Sequence, residues 1–335
     1  MISVIYGTRP EFIKLRPLVV ALRDRELPVW LVRVAQHTDL CDGFEHDAYV
    51  EIPPPRPGAS RLNSIFGLVP AIEAAIAGSD TCVVQGDTAT AFAAALAAYN
   101  LELRVVHVEA GLRTYDLRNP HPEESYRQCI SSLATLHMCP TEDDARNLAR
   151  ERRSGTVHVT GNTVTDNLVA LVPELGDEVL ITMHRRENLP LLDRWIDAFN
   201  RCAAALPQEF TFVCHPNPAV RTAATRLSGL RLSEPLPYDE LLERLRKCAY
   251  VITDSGGLQE ECAWLNKRVV VCRVATERPQ TLGTTSFLCE RPEDLLGVVE
   301  HALRASAELE RCPFGDGQVA PRIAKLLEEA RREPR

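Results

Sequence analysis

The sequence lacks several features that mark large classes of protein. It contains no run of about 20 apolar residues of the kind that crosses a bilayer as a helix. Its 38 lysine and arginine residues are outnumbered by 46 aspartate and glutamate residues, which gives a net charge of −8. This balance argues against a general binder of nucleic acid or of anionic membranes. Any binding of phosphate must therefore depend on locally placed arginines and on backbone N–H groups.

The chain also lacks the sequence patterns of the common nucleotide cofactors and of metal sites. The first strand-to-helix corner, Gly7–Glu11, has neither the Gly-x-Gly-x-x-Gly spacing of a dinucleotide loop nor the Gly-Lys-[Ser/Thr] of a P-loop. No histidines, cysteines or carboxylates occur at metal-ligand spacing. The sequence therefore predicts no NAD or ATP site, no bound metal and no cofactor.

No Cys-x-x-Cys pair occurs among the eleven cysteines, and their number is odd. Several, such as Cys82, Cys214 and Cys272, lie inside apolar strand-like runs, where a thiol acts as a small apolar side chain. The chain begins with strand-like sequence at Met1–Tyr6 and not with the basic start of a signal peptide. These features predict a cytoplasmic protein with reduced thiols.

Strand-like and helix-like segments alternate along the chain. Its 335 residues suffice for two domains of ordinary size. Alternating β and α segments predict parallel sheets with helices on both faces, and a break near residues 165–177 divides the pattern into two halves. We therefore predict an α/β fold of two Rossmann-like parallel-sheet domains, residues 1–165 and 166–317, that face each other across a cleft.

The expected elements follow from apolar periodicity and from turn residues. The expected strands are Ile2–Tyr6, Val29–Val34, Thr81–Gln85, Arg104–Val108, Met138–Pro140, Thr156–Val159, Val179–Met183, Phe210–Cys214, Tyr250–Thr253 and Arg268–Cys272. The expected helices are Glu11–Arg25, Ser60–Ala77, Thr90–Tyr99, Pro122–Leu136, Glu142–Glu151, Leu191–Leu206, Pro218–Leu227, Asp239–Lys247, Gly257–Leu265, Pro292–Ala305 and Ala320–Arg332. The proline-rich segment Ile52–Ser60 is expected to be a loop.

A glycine turn follows the expected strand Tyr250–Thr253 and opens a helix. Ser255, Gly256 and Gly257 would present unpaired backbone N–H groups and the positive end of a helix dipole, which together suit an anion. Glu261 lies one turn further on and could accept hydrogen bonds from hydroxyl groups such as those of a ribose. A simple helix cap would use the same residues, so this stretch alone leaves both interpretations open.

Other polar side chains follow strands, where ligands bind in parallel α/β sheets. Arg9 and Lys14 place two cations at the first corner, although a solvated surface position is an alternative, especially for Lys14. In the second half His184 and His215 each follow a strand, and Arg278 adds a possible cation. The segment Arg185–Glu187 could equally be a salt-bridged structural turn.

Three carboxylates are expected at one edge of the first sheet. Asp87 and Glu109 end successive strands, and Glu123 lies at the start of a later helix. Each could be a helix cap, but carboxylates gathered at one edge would raise one another's proton affinity, as acid–base chemistry requires.

These segments resemble the bacterial UDP-N-acetylglucosamine 2-epimerases of the non-hydrolysing type. Nine motifs occur in the family's order: Gly-Thr-Arg-Pro-Glu, Gly-Asp-Thr, His-Val-Glu-Ala-Gly-Leu-Arg, Pro-Glu-Glu-x-x-Arg, Gly-Asn-Thr-Val, His-Arg-Arg-Glu-Asn, His-Pro-Asn-Pro, Asp-Ser-Gly-Gly-x-Gln-Glu-Glu and Thr-Glu-Arg-Pro. The match runs from residue 2 to about residue 325. It implies a GT-B-like fold, a UDP-sugar in the cleft, a homodimer, and a C-terminal helix (residues 318–335) that returns to the N-terminal domain.

The resemblance also implies a role for each matching residue. The residues implied in catalysis are Asp87, Glu109, Glu123, Lys14 and His215. Those implied in substrate binding are Arg9, Arg127, His184, Ser255, Gly256, Gly257, Glu261 and Arg278. The implied reaction is anti elimination of UDP to a 2-acetamidoglucal, followed by re-addition of UDP. This mechanism uses neither nicotinamide nor metal.

The chain departs from the family pattern at two places. The family's Ala-Gln-His is usually followed by Arg-x-x-Leu-Asp-Gln, with glutamines that help to hold a second, activating UDP-N-acetylglucosamine. Here Thr38–Gly43 stands instead, which leaves open whether this chain has that effector site. Gln280 replaces the glutamate of Thr-Glu-Arg-Pro-Glu. Two alternatives stay open: a hydrolysing 2-epimerase that releases UDP and free N-acetylmannosamine, and a GT-B glycosyltransferase, which would not need three acid–base carboxylates.

Overall fold

The computed structural model describes residues 1–34, 45–51, 61–305 and 309–332, with the side chains of residues 61–66 outside the description. The chain divides into two compact units. Unit 1 comprises residues 1–167 and 315–335, and unit 2 comprises residues 168–314.

In its described part, unit 1 contains a seven-stranded, fully parallel sheet. Its strands are β1 (Ile2–Tyr6), β2 (Val29–Val34), β3 (Ala48–Val50), β4 (Thr81–Gln85), β5 (Arg104–Val108), β6 (Leu136–Cys139) and β7 (Thr156–Val159). Its helices before unit 2 are α1 (Arg9–Asp24), α2 (Arg61–Ile76), α3 (Ala89–Asn100), α4 (Glu123–Leu133) and α5 (Glu142–Arg150). The strand order is β3-β2-β1-β4-β5-β6-β7. The winding direction therefore reverses between β1 and β4, which is where ligands bind in such sheets.

Strand β1 shows why this sheet is nearly continuous in apolar residues. All five of its residues are buried, because helices cover both faces of a parallel sheet. Val4 and Tyr6 pack into the core that includes α1, whereas Ile5 packs into the core on the α3 side. Just beyond β1, Gly7 is required by a close approach, since a Cβ there would lie 2.2 Å from Oγ1 of Thr90.

In its described part, unit 2 contains a six-stranded, fully parallel sheet. Its strands are β8 (Glu178–Thr182), β9 (Glu209–Val213), β10 (Arg231–Ser233), β11 (Tyr250–Thr253), β12 (Arg268–Val271) and β13 (Ser286–Leu288). Its helices are α6 (Leu192–Ala205), α7 (Pro218–Ala224), α8 (Tyr238–Lys247), α9 (Gly256–Trp264) and α10 (Leu295–Arg304). The order β10-β9-β8-β11-β12-β13 places the reversal between β8 and β11. The segments that follow these two strands are therefore neighbours.

The last helix, α11 (Val319–Arg332), belongs to unit 1. Asp166 caps the N-terminus of α11, because its carboxylate accepts hydrogen bonds from the backbone N–H groups of Val319 (3.0 Å) and Ala320 (2.6 Å). Ile323 and Leu327 are buried in the same core as α1. No helix in the described ranges is long and apolar enough to span a membrane.

The predicted architecture of two parallel-sheet α/β domains is confirmed. Three strands were not predicted, namely β3, β10 and β13, and each has only three residues and lies at a sheet edge. Three residues are too few to show an alternating pattern. The expected cleft stays a prediction, and the expected loop Ile52–Ser60 lies outside the described residues.

Two helix ends were wrong by three residues, and one of these helices, the predicted Pro218–Leu227, ends at Ala224. The predicted helix Pro122–Leu136 ends at Leu133, because Ala134 adopts an extended conformation and Leu136 starts β6. Apolar residues continue through both elements, so hydrophobicity alone does not mark the change from helix to strand.

Candidate active site

In unit 1, the corner after β1 is joined to the start of α3 by a buried carboxylate. Glu11 is 2% exposed and accepts hydrogen bonds from the N–H groups of Gly7 (3.0 Å) and Thr8 (2.7 Å). It also accepts from the hydroxyl of Thr88, the N-cap of α3, at 2.6 Å. Burial raises the pKa of Glu11, and these hydrogen bonds oppose the rise. The sequence analysis missed this residue, although Thr8-x-x-Glu11 is a capping-box pattern.

Lys14 and Glu109 form an ion pair inside unit 1. Nζ of Lys14 lies 2.7 Å and 2.9 Å from the two carboxylate oxygens of Glu109, and the side chain of Gln85 donates to the same carboxylate. Both partners are less than 10% exposed. Glu109 also has a φ of 67°. A positive φ is uncommon for a residue with a Cβ, and such residues cluster at functional sites. The ammonium therefore contacts both oxygens of a buried carboxylate.

Asp87 pairs with Arg127 of α4. Nη2 of Arg127 donates to Oδ2 of Asp87, whose side chain stays 30% exposed. Gly86 directly precedes Asp87, and its carbonyl oxygen lies 2.8 Å from Nε2 of His107. Burial lowers the pKa of His107 to about 3, so the neutral ring donates this bond and holds the loop from β5.

The carboxylates of the two ion pairs lie on adjacent loops. A Cβ at Gly86 would lie 3.6 Å from Oε2 of Glu109, so the Asp87 loop passes close to the Glu109 carboxylate. Glu123 occupies the first position of α4 and is half-buried. Its neighbour Glu124 is fully buried and accepts from the backbone N–H groups of Thr114 and Tyr115, which makes Glu124 a structural carboxylate. Arg9 stands, partly exposed, as the first residue of α1.

In unit 2, Asp254 connects the segments that follow β8 and β11. It is fully buried and accepts hydrogen bonds from the backbone N–H groups of His184 (3.1 Å) and Arg185 (2.8 Å). The side-chain amide of Asn188 donates to the same carboxylate at 3.0 Å. Asp254 is therefore a structural connector between the His184 segment and Ser255.

The two histidines predicted for the site stack on each other. The ring centroids of His184 and His215 lie 5.2 Å apart, with an angle of 15° between the planes. Nδ1 of His215 lies 3.1 Å from the backbone N–H of Asn217. Because a backbone N–H can only donate, Nδ1 accepts, and the neutral ring carries its proton on Nε2. Burial lowers the pKa of His184, against the opposing effect of Asp254.

Ser255 is the N-cap of α9, and its hydroxyl accepts no hydrogen bond from the backbone N–H groups at the start of this helix, which lies within the described residues. The first turn of α9 therefore offers the Ser255 hydroxyl together with the N–H groups of Gly256 and Gly257. Such groups at a helix N-terminus bind anions.

Arg278 lies directly against this turn. Its Nε donates to Glu260 at 2.7 Å and its Nη1 to Glu277 at 2.5 Å, and all three side chains are buried. A Cβ at Gly256 would lie 2.6 Å from Nη1 of Arg278. The guanidinium therefore bridges two buried carboxylates, of which Glu277 also pairs with Arg273, and it packs against the glycine turn. Glu261, the residue after Glu260, is 5% exposed and accepts from the hydroxyl of Tyr238 at 2.7 Å.

Replacing Gly256 by Ala is expected to destabilise the protein by about 1–3 kcal/mol, the usual cost of overpacking, because the new methyl group would displace the Arg278 guanidinium from its carboxylates. The matched variant Gly257→Ala meets only Oγ of Ser255, at 4.0 Å, and should keep wild-type stability. Urea unfolding of both variants measures the difference. Equal stability of the two would contradict the supporting role of Arg278.

Residues 38–43, where the sequence departs from the family pattern, lie outside the described residues. Within the described ranges, no group of three or more histidine, cysteine, aspartate and glutamate side chains could hold a metal ion.

Comparison with known proteins decides the family. The family model described as UDP-N-acetylglucosamine 2-epimerase matches residues 58–328. The chain belongs to this family. The UDP-N-acetylglucosamine 2-epimerase of Salmonella typhimurium is 33% identical over 98% of this chain and 99% of its own length.

Solved structures of family members have the same fold. The Neisseria meningitidis UDP-GlcNAc 2-epimerase bound to UDP-GlcNAc gives a TM-score of 0.88 at 29% identity, and covers 98% of this chain and 99% of that one. The Methanocaldococcus jannaschii enzyme in complex with UDP-GlcNAc and UDP gives 0.85 at 27% identity, with the same coverage. The predictions of the family, of an isomerase and of a GT-B-like fold are therefore confirmed. The homodimer, the cytoplasmic location and the role of each site residue stay predictions.

Proposed function

We propose that this family member interconverts UDP-N-acetylglucosamine and UDP-N-acetylmannosamine by elimination and re-addition of UDP. The observation that carries the proposal is the presence of two ion pairs in unit 1, Lys14–Glu109 and Arg127–Asp87. Their carboxylates lie on adjacent loops at the carboxyl edge of the sheet. A reaction that removes a proton from one face of C2 and returns one on the other needs more than one acid–base group. A binding protein needs no acid–base group, and a glycosyltransferase would not need several acid–base carboxylates.

We assign the nucleotide to unit 2. The Ser255 hydroxyl and the N–H groups of Gly256 and Gly257 would bind the diphosphate at the start of α9, and Glu261 would accept from the ribose hydroxyls. His215 would donate from Nε2 to a phosphate oxygen, with His184 stacked behind it. This assignment is supported by the fixed tautomer of His215 and by the unused capping capacity of Ser255.

We assign the proton transfers to unit 1. One carboxylate of the set Asp87, Glu109 and Glu123 would remove the proton at C2 while the C1–O bond breaks and its electron pair leaves with UDP. The product of this step is the 2-acetamidoglucal. A proton would then return to the opposite face of C2 while UDP adds again at C1. Lys14 would stabilise the ionised form of Glu109 between these steps, and Arg127 would do the same for Asp87. Arg9 is proposed as a further phosphate-binding cation.

Incubation with UDP-N-acetylglucosamine in D2O, followed by proton NMR, tests this proposal. We expect deuterium at C2 in both the gluco and the manno sugar, with UDP still attached. Accumulation of free N-acetylmannosamine and UDP would instead identify a hydrolysing 2-epimerase. Absence of C2 exchange with several UDP-sugars would contradict both epimerase mechanisms and favour a glycosyltransferase.

A further inference from the structure

Two adjacent buried carboxylates in α9 have different partners. Glu260 is bonded to the guanidinium of Arg278 at 2.7 Å and is thereby neutralised. Glu261 accepts instead from the phenol of Tyr238, also at 2.7 Å. A donor on a packed ring fixes the direction of the carboxylate that accepts from it, so this hydrogen bond orients the Glu261 side chain.

The phenol of Tyr238 is anchored by its surroundings. Tyr238 is the first residue of α8, directly after the N-cap Pro237. Its ring packs against the core that contains Leu242, Leu245 and Leu258. The hydroxyl is therefore presented to α9 by a packed ring and not by a mobile side chain.

Tyr238 is also a permanent donor. Burial and the nearby charge of Glu261 both raise the pKa of the phenol far above its ordinary value, so the proton stays on Tyr238. A carboxylate has about four lone-pair positions. The phenol occupies one of them at Oε1 and thereby holds the other oxygen in one direction.

We propose that Tyr238 is a positioning residue that makes the nucleotide site select ribose over deoxyribose. This inference rests on the proposed role of Glu261 as the acceptor for ribose hydroxyls. A site that holds a buried carboxylate ready for two hydroxyls rejects a sugar that lacks one, because a polar group is then left without its partner. If the phenol is lost, the carboxylate loses a contact that orients it, and the preference weakens.

The test compares the affinities for UDP and 2′-deoxy-UDP, measured by calorimetry on the full chain. The wild type should prefer UDP by about tenfold or more, the usual size of a hydrogen bond to a charged group. Tyr238→Phe keeps the packed ring and should reduce this preference to about twofold or less, chiefly by weakening UDP binding. Tyr250→Phe is the matched control, because it removes a buried phenol of the same unit that has no hydrogen-bond partner in the described part of the chain.

The outcomes separate this inference from the function on which it rests. If the wild type prefers UDP and Tyr238→Phe keeps the full preference, the positioning role is wrong and the role of Glu261 stands. If the wild type binds both nucleotides equally, the role of Glu261 is wrong as well. A Tyr238→Phe protein that unfolds earlier but discriminates like the wild type shows a purely structural tyrosine, which also overturns the inference.

Discussion

The variant Glu109→Gln is expected to lower turnover by about 100- to 10,000-fold, the range for the loss of a general acid–base group, while UDP binding persists. Glutamine has nearly the same shape and can still accept a hydrogen bond from Lys14 through its amide oxygen. It cannot take up or release a proton as a carboxylate does. Turnover of UDP-N-acetylglucosamine followed by NMR, together with calorimetric titration of UDP, measures both parts of this prediction.

Two controls separate chemistry from stability. Removing one partner of a buried ion pair costs stability, whereas removing both costs much less. The double variant Lys14→Met with Glu109→Gln should therefore recover stability without recovering turnover. Glu151→Gln, which removes the charge from the carboxylate partner of the buried Arg113 in the same unit, should keep turnover. Wild-type turnover in Glu109→Gln would show that the Lys14 pair is only structural.

Replacing Asp254 by Ala is expected to lower the free energy of unfolding by about 3–5 kcal/mol and to weaken UDP binding strongly. The substitution leaves the N–H groups of His184 and Arg185 and the amide of Asn188 without their acceptor in a buried position. Each unsatisfied buried donor costs about 1–3 kcal/mol. The loss of the connection also releases the His184 segment from the start of α9. Urea unfolding and UDP titration measure the two effects.

Asp254→Asn supplies the matched control for this prediction. Its carbonyl oxygen replaces part of the acceptor capacity in the same shape, so its stability should lie between those of the wild type and of Asp254→Ala. If Asp254→Ala unfolds like the wild type, water has replaced the carboxylate and the connection is not essential. If stability falls but UDP affinity does not, the His184 segment does not contribute to the nucleotide site.

Much of the fold was predictable because its signals are local. The apolar runs of β1 and β11 and the glycine turn after β11 depend on residues within a few positions of one another. The strands that were missed, β3, β10 and β13, carry three residues each and are held by their neighbours at the sheet edge. Local pattern carries little information about such short elements.

The candidate site was predictable in its residue types but not in its pairings. Sequence motifs identified Lys14 and Glu109, and their contact joins residues 95 positions apart. The sequence also did not show which residues contact Glu11 and Glu261, although a capping pattern was present at Glu11. Thr88 lies 77 positions from Glu11, and Tyr238 lies 23 positions from Glu261.

By itself, the sequence determined the alternation of strands and helices, the family and the residue types available for chemistry. Only the tertiary structure decided which of these residues meet. The reason is the strand order: β1 lies between β2 and β4, and β8 between β9 and β11. Hydrophobic periodicity shows that a strand is buried, but it does not show which strand lies beside it. The strand order brings the Glu109 carboxylate, after β5, to Lys14 of α1, and it brings the Asp254 carboxylate, after β11, to the backbone N–H groups that follow β8.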